Sequence, residues 1–155
     1  ADSIGLGLNK ENYDKIITYG KKIKHSIIEN KDNIKHPFEE DLSFLYGTIF
    51  ITKSDNFHSK NVCVFAHGEV DRSPTGSGVS GRAAIHYKKN EIALNESITI
   101  ESILGSSFNV EVDSCVSFGD YGAVIPKVTG TAYITGEHTF LIDENDDLKH
   151  GFFLR

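Results

Sequence analysis

Between residues 10 and 30, apolar side chains return every three or four positions. Tyr13, Ile16, Ile17, Gly20, Ile23 and Ile27 share one side of a 3.6-residue helix, with lysines facing out. Asn9 stands just ahead of them as a plausible N-cap. The spacing predicts an amphipathic surface helix. His36-Pro37 stops any continuation, because the proline ring pushes the residue before it out of the α region. From Phe44 onward the pattern changes to short runs rich in β-branched and aromatic residues: "FLYGTIFIT", "NVCVFA", "SITIESI", "FNVEV", "GAVIPKVTGTAYITG" and "HTFLI", separated by Gly, Asn, Asp and Ser. These are expected to be strands of a mostly antiparallel sheet. Among them one strong helix is predicted over residues 78–89, "GVSGRAAIHYKK", where Val79, Ala83, Ile85 and Tyr87 make it apolar enough to be largely enclosed. A curled sheet around one central helix is the natural packing, an α+β fold.

Composition narrows the class. The chain of 155 residues shows no internal repeat, interdomain linker or bilayer-length apolar run, so it reads as a single domain, 1–155, without a membrane partner. A formal net charge of −6, with lysines and arginines scattered among acids, lacks the basic face that nucleic acid requires. Cys63 and Cys115 lie far apart with no Cys or His at ligand spacing, so neither a zinc site nor a disulfide framework is suggested, and a reducing cytoplasm fits. The opening "ADSIGLGLNK" has neither the basic nor the apolar region of a signal peptide.

Several segments carry candidate chemistry. "GSGVSG", residues 76–81, matches the dinucleotide fingerprint, and Glu96 lies about twenty residues on, where a ribose-binding acid would stand. That site requires its first glycine directly after a strand of a parallel βαβ unit. Here "HGEVDRSPT" intervenes, and a meander of strands comes after the helix. What survives is general: free amides and the dipole at a helix start favour an anion, carboxylate as well as phosphate. A plain glycine-rich turn capping a core helix would show the same spacing. "DENDDL" offers Asp143, Asn145 and Asp147 at calcium-loop spacing, but Leu148 replaces the obligatory glycine and Leu154 the bidentate acid, which favours a solvated turn. The seven histidines form no i, i+4 pair; His67 is the one near the glycine segment, and it reads as a surface-turn residue. Cys63, within an apolar strand, reads as a small buried hydrophobe.

The stretch "NVCVFAHGEVDRSPTGSGVSGRAAIHY" resembles the second catalytic motif of the proline racemase superfamily, which includes hydroxyproline epimerases and trans-3-hydroxy-L-proline dehydratases. Racemases and epimerases of that family carry Asp-Arg-Ser-Pro-Cys-Gly-Thr-Gly, and dehydratases Asp-Arg-Ser-Pro-Thr-Gly-Ser-Gly. This chain has the second version, with Thr75 at the cysteine position. Weaker similarity covers "ADSIGLGL", "FLYGTIFIT" and the ending "VIPKVTGTAYITGEHTFLIDENDDLKHGFFLR". Family enzymes are roughly twice as long and carry in their first half another motif, close to Met-Cys-Gly-His-Gly, whose cysteine is the other catalytic base; it does not occur here. The resemblance therefore implies the C-terminal lobe of a diaminopimelate epimerase-like fold, whose active site lies between the helix N-termini of two similar lobes. It also implies that the tail "LKHGFFLR" returns to the N-terminal lobe.

The same resemblance implies roles. Gly76 and Ser77 would aim amides at a substrate carboxylate, Asp71 would hold the ring ammonium, and Phe65 would wall the pocket from water or simply be a core phenylalanine. Thr75 implies a one-base enzyme, because an unactivated hydroxyl stays protonated and cannot accept the α-proton as a thiolate does. Thr75 would bond near the leaving group or the carboxylate, or act as the helix cap. The expected function is cofactor-independent dehydration of trans-3-hydroxy-L-proline to Δ1-pyrroline-2-carboxylate. The alternatives are a proline racemase or 4-hydroxyproline epimerase, which Thr75 disfavours, and a non-catalytic domain that binds a small amino acid or a protein. The expected partners are hydroxyproline or proline, the N-terminal lobe and, through the surface that lobe would cover, a second copy of the chain as a homodimer.

Overall fold

The computed structural model describes residues 1–30 and 34–152. Asn9 caps the first helical segment as the pattern predicts: its Oδ1 accepts the Asn12 amide at 3.1 Å. A 3-10 turn, Lys10–Asn12, then runs into α1 (Tyr13–Asn30). Ile16 and Gly20 form its buried face. Gly20 is there because strand and helix meet backbone to side chain: a Cβ at this position would lie 2.6 Å from Val64 Cβ. Gly20→Ala is expected to force the helix off the sheet and lower stability by about 1–3 kcal/mol, as overpacking does, despite alanine's better helix propensity. Urea titration checks this, and unchanged stability would show that the contact yields.

Among the described residues six strands complete the fold: β1 (Gly47–Thr52), β2 (Ser59–Phe65), β3 (Glu69–Val70), β4 (Ile98–Ser102), β5 (Ser107–Phe118) and β6 (Tyr121–Thr129), with α2 (Gly76–Lys88) between β3 and β4. They form one sheet in the order β1-β2-β4-β5-β6, with β3 paired to β2. All pairs are antiparallel except β2 with β4. A parallel neighbour requires a crossover, and α2 is that crossover.

Strand alternation sorts the sheet into two faces. Phe50, Val62 and Val64 point to one side and pack with Leu6, Leu8 and Ile16, so α1 covers that face. The other face carries Ile98, Ile100, Val110 and Val112, which bury Val79 and Ala83 of α2. On this same face, ahead of the helix, β2 presents Asn61 and Cys63, since Ile49 pairs with Cys63 and Ser102 with Asn61. The α+β arrangement around α2 is thus the expected one.

Three expectations change. Residues 131–142, which include "TAYITG" and "HTFLI", are exposed and outside any strand. The β5–β6 ladder ends at Asn109↔Thr129, and β5 itself begins at Ser107, so β5 offers no further length for them to pair with. "FNVEV" extends instead to Phe118, because β6 pairs with it past a register shift between Val112 and Ser114. Finally, α2 is enclosed on one side only: Ile85, six residues on from Val79, faces out and is 55% exposed. Leu154 and the last residues of "LKHGFFLR" lie outside the described residues. Among those described, no helix is long and apolar enough to cross a membrane.

Candidate active site

Strand β3 is two residues long, yet it determines where the polar loop lands. Pairing of Val70 with Val64 folds the chain back along β2, and the Asp71 amide then donates to the Cys63 carbonyl at 3.0 Å. Asp71 organises the turn that leads into α2. Its Oδ1 accepts the Ser73 amide and its Oδ2 the Thr75 hydroxyl, both at 2.8 Å. Ser73 Oγ in turn accepts the Thr75 amide at 3.0 Å. Thr75 is held at φ 68° and ψ 101°, a conformation rare for a β-branched residue. Its side chain makes no capping bond to α2. The cap role open to it in the sequence is therefore not taken, because the hydroxyl is committed to Asp71.

Helix α2 begins at Gly76, so all three glycines of "GSGVSG" lie within it, not in a loop before it. Its first i→i−4 bond runs from the Val79 amide to the Thr75 carbonyl at 2.8 Å. The amides of Gly76, Ser77 and Gly78 precede that bond and have no intrahelical acceptor.

Asp71, Thr75, Gly76, Ser77 and Phe65, the five residues singled out in the sequence, line one cleft of about 370 Å³. That is the size of a small-molecule pocket. Tyr46, Gly47, Ile49, Cys63 and Gly78 complete its wall. The Tyr46 and Phe65 rings of this wall lie 5.7 Å apart. The cleft pairs opposite preferences at close range: a carboxylate with spare lone pairs on one wall and helix-start amides, which favour an anion, on the other. A zwitterionic amino acid satisfies both.

Cys63 is expected from its apolar strand to be a small buried hydrophobe. It is buried as expected, 6% exposed, but it is also part of the cleft wall. Burial pushes its thiol above the ordinary cysteine range, the charge of Asp71 adds to this, and a bond with Thr75 opposes it. Such a thiol stays protonated near neutral pH and is no base. Strand alternation was the available signal, because positions 61, 63 and 65 share the face on which Phe65 was placed.

The other candidates disperse. Glu96 accepts the Ala93 amide at 2.7 Å, closing its own turn instead of waiting for a ribose. His67 is an exposed turn residue whose amide donates to Glu69 Oε2 at 2.7 Å. Asp143 Oδ1 accepts the Asn145 amide at 2.9 Å in an exposed turn. Cys115 is exposed, 3.3 Å from the Tyr87 hydroxyl and remote in the fold from the cleft residues.

With that site in place, the chain belongs to the proline racemase family, whose model matches residues 1–153. It is 56% identical, over its whole length, to a trans-3-hydroxy-L-proline dehydratase of Colwellia psychrerythraea, of which it covers 44%. It is 39% identical to a proline racemase of Clostridioides difficile, of which it covers 47%. Among solved structures it resembles a hydroxyproline epimerase from Agrobacterium vitis with trans-4-hydroxy-L-proline bound. There the TM-score is 0.82 at 27% identity, covering 97% of this chain and 43% of that one. The chain thus spans less than half the length of these relatives.

Proposed function

We propose that this chain supplies the C-terminal lobe of a cofactor-independent trans-3-hydroxy-L-proline dehydratase. The observation that carries the reading is the Thr75 hydroxyl held by Asp71 at 2.8 Å at the start of α2, where the racemase motif has a thiol. In this reading the substrate carboxylate sits on the Gly76 and Ser77 amides. Negative charge builds there as the α-proton leaves, and fixed dipoles aimed at it lower the barrier without reorganising. Asp71 takes the ring ammonium, and Phe65 with Tyr46 screens the ring from water.

A thiolate from the complementary lobe accepts the α-proton. The electron pair of that C–H bond, held first as the carbanion, forms the C2–C3 double bond as the C3–O bond breaks, and the proton now on the thiol passes to the departing hydroxide, which leaves as water and restores the thiolate. The enamine tautomerises to Δ1-pyrroline-2-carboxylate. Thr75 commits its hydroxyl hydrogen to a bond with Asp71, and an alkyl hydroxyl is both a poor base and a far weaker acid than a thiol, so in this reading residue 75 does not reprotonate the intermediate. That feature separates the dehydratase from a racemase or epimerase reading.

The test joins the chain to a family N-terminal half carrying Met-Cys-Gly-His-Gly and assays trans-3-hydroxy-L-proline for cyclic imine. Product from the joined protein and none from the 155-residue chain alone is the expected result. Turnover by the lone chain overturns the two-lobe site, and inversion of the α-carbon without water loss overturns the dehydratase.

The reading also accounts for the exposed surface. Tyr133, Ile134, Phe140 and Leu141 are each more than 85% exposed, far beyond scattered surface apolars. In the proposal the complementary lobe covers them; without it the chain is expected to cover them by self-association. Sedimentation of the lone chain is expected to show dimers or larger species, and a strict monomer at high concentration argues against an interlobe surface here.

A further inference from the structure

Behind the cleft, the α2-facing side of β2 holds polar groups where aliphatic ones would pack. Asn61 is fully buried and Arg82 is 5% exposed. Arg82 Nη1 donates to Asn61 Oδ1 at 3.2 Å, and Nη2 donates to Ser59 Oγ at 2.7 Å and lies 3.3 Å from His86 Nε2. Arg82 Nε has no hydrogen-bond partner among the described residues. No carboxylate makes a salt bridge to this guanidinium among the described residues; Glu91 pairs with His86 instead. Burying a cation without a carboxylate beside it is costly, and an apolar side chain at either position would fill the space without that cost.

What the arrangement holds is one peptide group. Asn61 Nδ2 donates to the Pro74 carbonyl at 3.0 Å, while the Thr75 amide of the same peptide donates to Ser73 Oγ at 3.0 Å. Both ends of the peptide plane are fixed, with Asn61 braced from behind by Arg82 on α2. The positive φ of Thr75 is the torsion this plane sets. Relaxing it to a negative φ would swing the hydroxyl from Asp71 and re-aim the Gly76 amide.

We propose that Asn61, braced by Arg82, is a positioning residue that clamps the Pro74–Thr75 peptide and thereby aims the Thr75 hydroxyl and the first amides of α2 into the cleft. The proposal rests on the dehydratase reading for its kinetic consequence, not for its geometry.

Asn61→Asp separates positioning from folding. A carboxylate still accepts from Arg82, and gives the buried cation a counter-ion, but it turns a second acceptor toward the Pro74 carbonyl where a donor is required. In the joined two-lobe enzyme, the thermal midpoint is expected to hold or rise while kcat falls tenfold or more. The ratio of α-deuterium exchange to water loss is expected to change at least threefold, which a uniformly less folded enzyme would not produce. Amide hydrogen exchange gives a readout independent of turnover: the Thr75 amide is expected to exchange at least tenfold faster than in the unsubstituted protein, with Val62 and Val64 unchanged.

Should Asn61→Asp fail to fold, Asn61→Ser, whose shorter side chain cannot reach Pro74, is read the same way. A folded variant with unchanged Thr75 exchange overturns the clamp. An unsubstituted joined enzyme without dehydratase activity overturns the functional reading alone, and the exchange measurement then decides the clamp.

Discussion

Asp71→Ala in the joined enzyme is expected to depress water loss and α-deuterium exchange together, by roughly 100-fold or more, the scale of losing correct placement of a reactant. Two contributions combine. The carboxylate is the group proposed to hold the substrate ammonium, and within the protein it also accepts the Ser73 amide and the Thr75 hydroxyl. Removing it frees the substrate ring and releases the loop that carries Thr75. Because positioning precedes either fate of the carbanion, both outputs fall in proportion. Paired measurement of imine formation and solvent-deuterium uptake at saturating trans-3-hydroxy-L-proline checks this. Loss of water elimination with full deuterium uptake would instead place Asp71 at the leaving hydroxyl.

Asp71→Asn divides the two contributions. The amide oxygen can still accept one bond from the loop, but the charge is gone. An Asn variant nearly as impaired as Ala assigns the effect to pairing with the ammonium. An Asn variant close to the unsubstituted enzyme assigns it to loop geometry.

The cleft residues were reached through the family motif, because spacing alone left "GSGVSG" open between an anion site and a plain glycine-rich turn. What the structure adds is that "DRSPTGSG" holds a carboxylate, a hydroxyl and a helix start within eight residues, tied by an Asx-type bond from Ser73 to Asp71. Helix α1 was legible without the motif, since its period and Asn9 cap are written in consecutive residues. Residues 131–142 were not, because alternation states only that a segment suits a strand; an edge to pair with is a property of the rest of the sheet. Cys63 and Tyr46 needed the register of β1 on β2 before they joined the cleft.

Asn61 and Arg82 did leave a trace. A polar residue opens the apolar run "NVCVFA", and an arginine stands three positions after Val79 on the inward side of α2. A polar group at a core position requires a partner, and asking which partner it had was the step that the sequence permitted.

Thr75→Cys tests the distinction between one base and two. A thiol at this position would stand at the start of α2, whose dipole favours the thiolate, and beside Asp71, whose charge opposes it. Starting from the L isomer, the thiol on this face has to be protonated so that it can quench the carbanion, and it acts as the thiolate base only in the reverse direction. With L-proline, which has no 3-hydroxyl to expel, the unsubstituted joined enzyme is expected to exchange the α-hydrogen with retained configuration. The variant is expected to invert it, so that D-proline accumulates and carries solvent deuterium. With trans-3-hydroxy-L-proline the variant diverts part of the carbanion from water loss to the epimer, and that fraction falls as pH rises and the new thiol, which must be protonated to donate, ionises. Cys63 provides the internal control. It already places a thiol in the same cleft wall, but on β2, buried and bonded with Thr75, not at the start of α2. Cys63→Ser is therefore expected to leave the stereochemical outcome of both enzymes unchanged. A Thr75→Cys enzyme that still dehydrates but never inverts the α-carbon would show that residue 75 does not face the carbon opposite the first base, and would move Thr75 to the carboxylate end of the cleft.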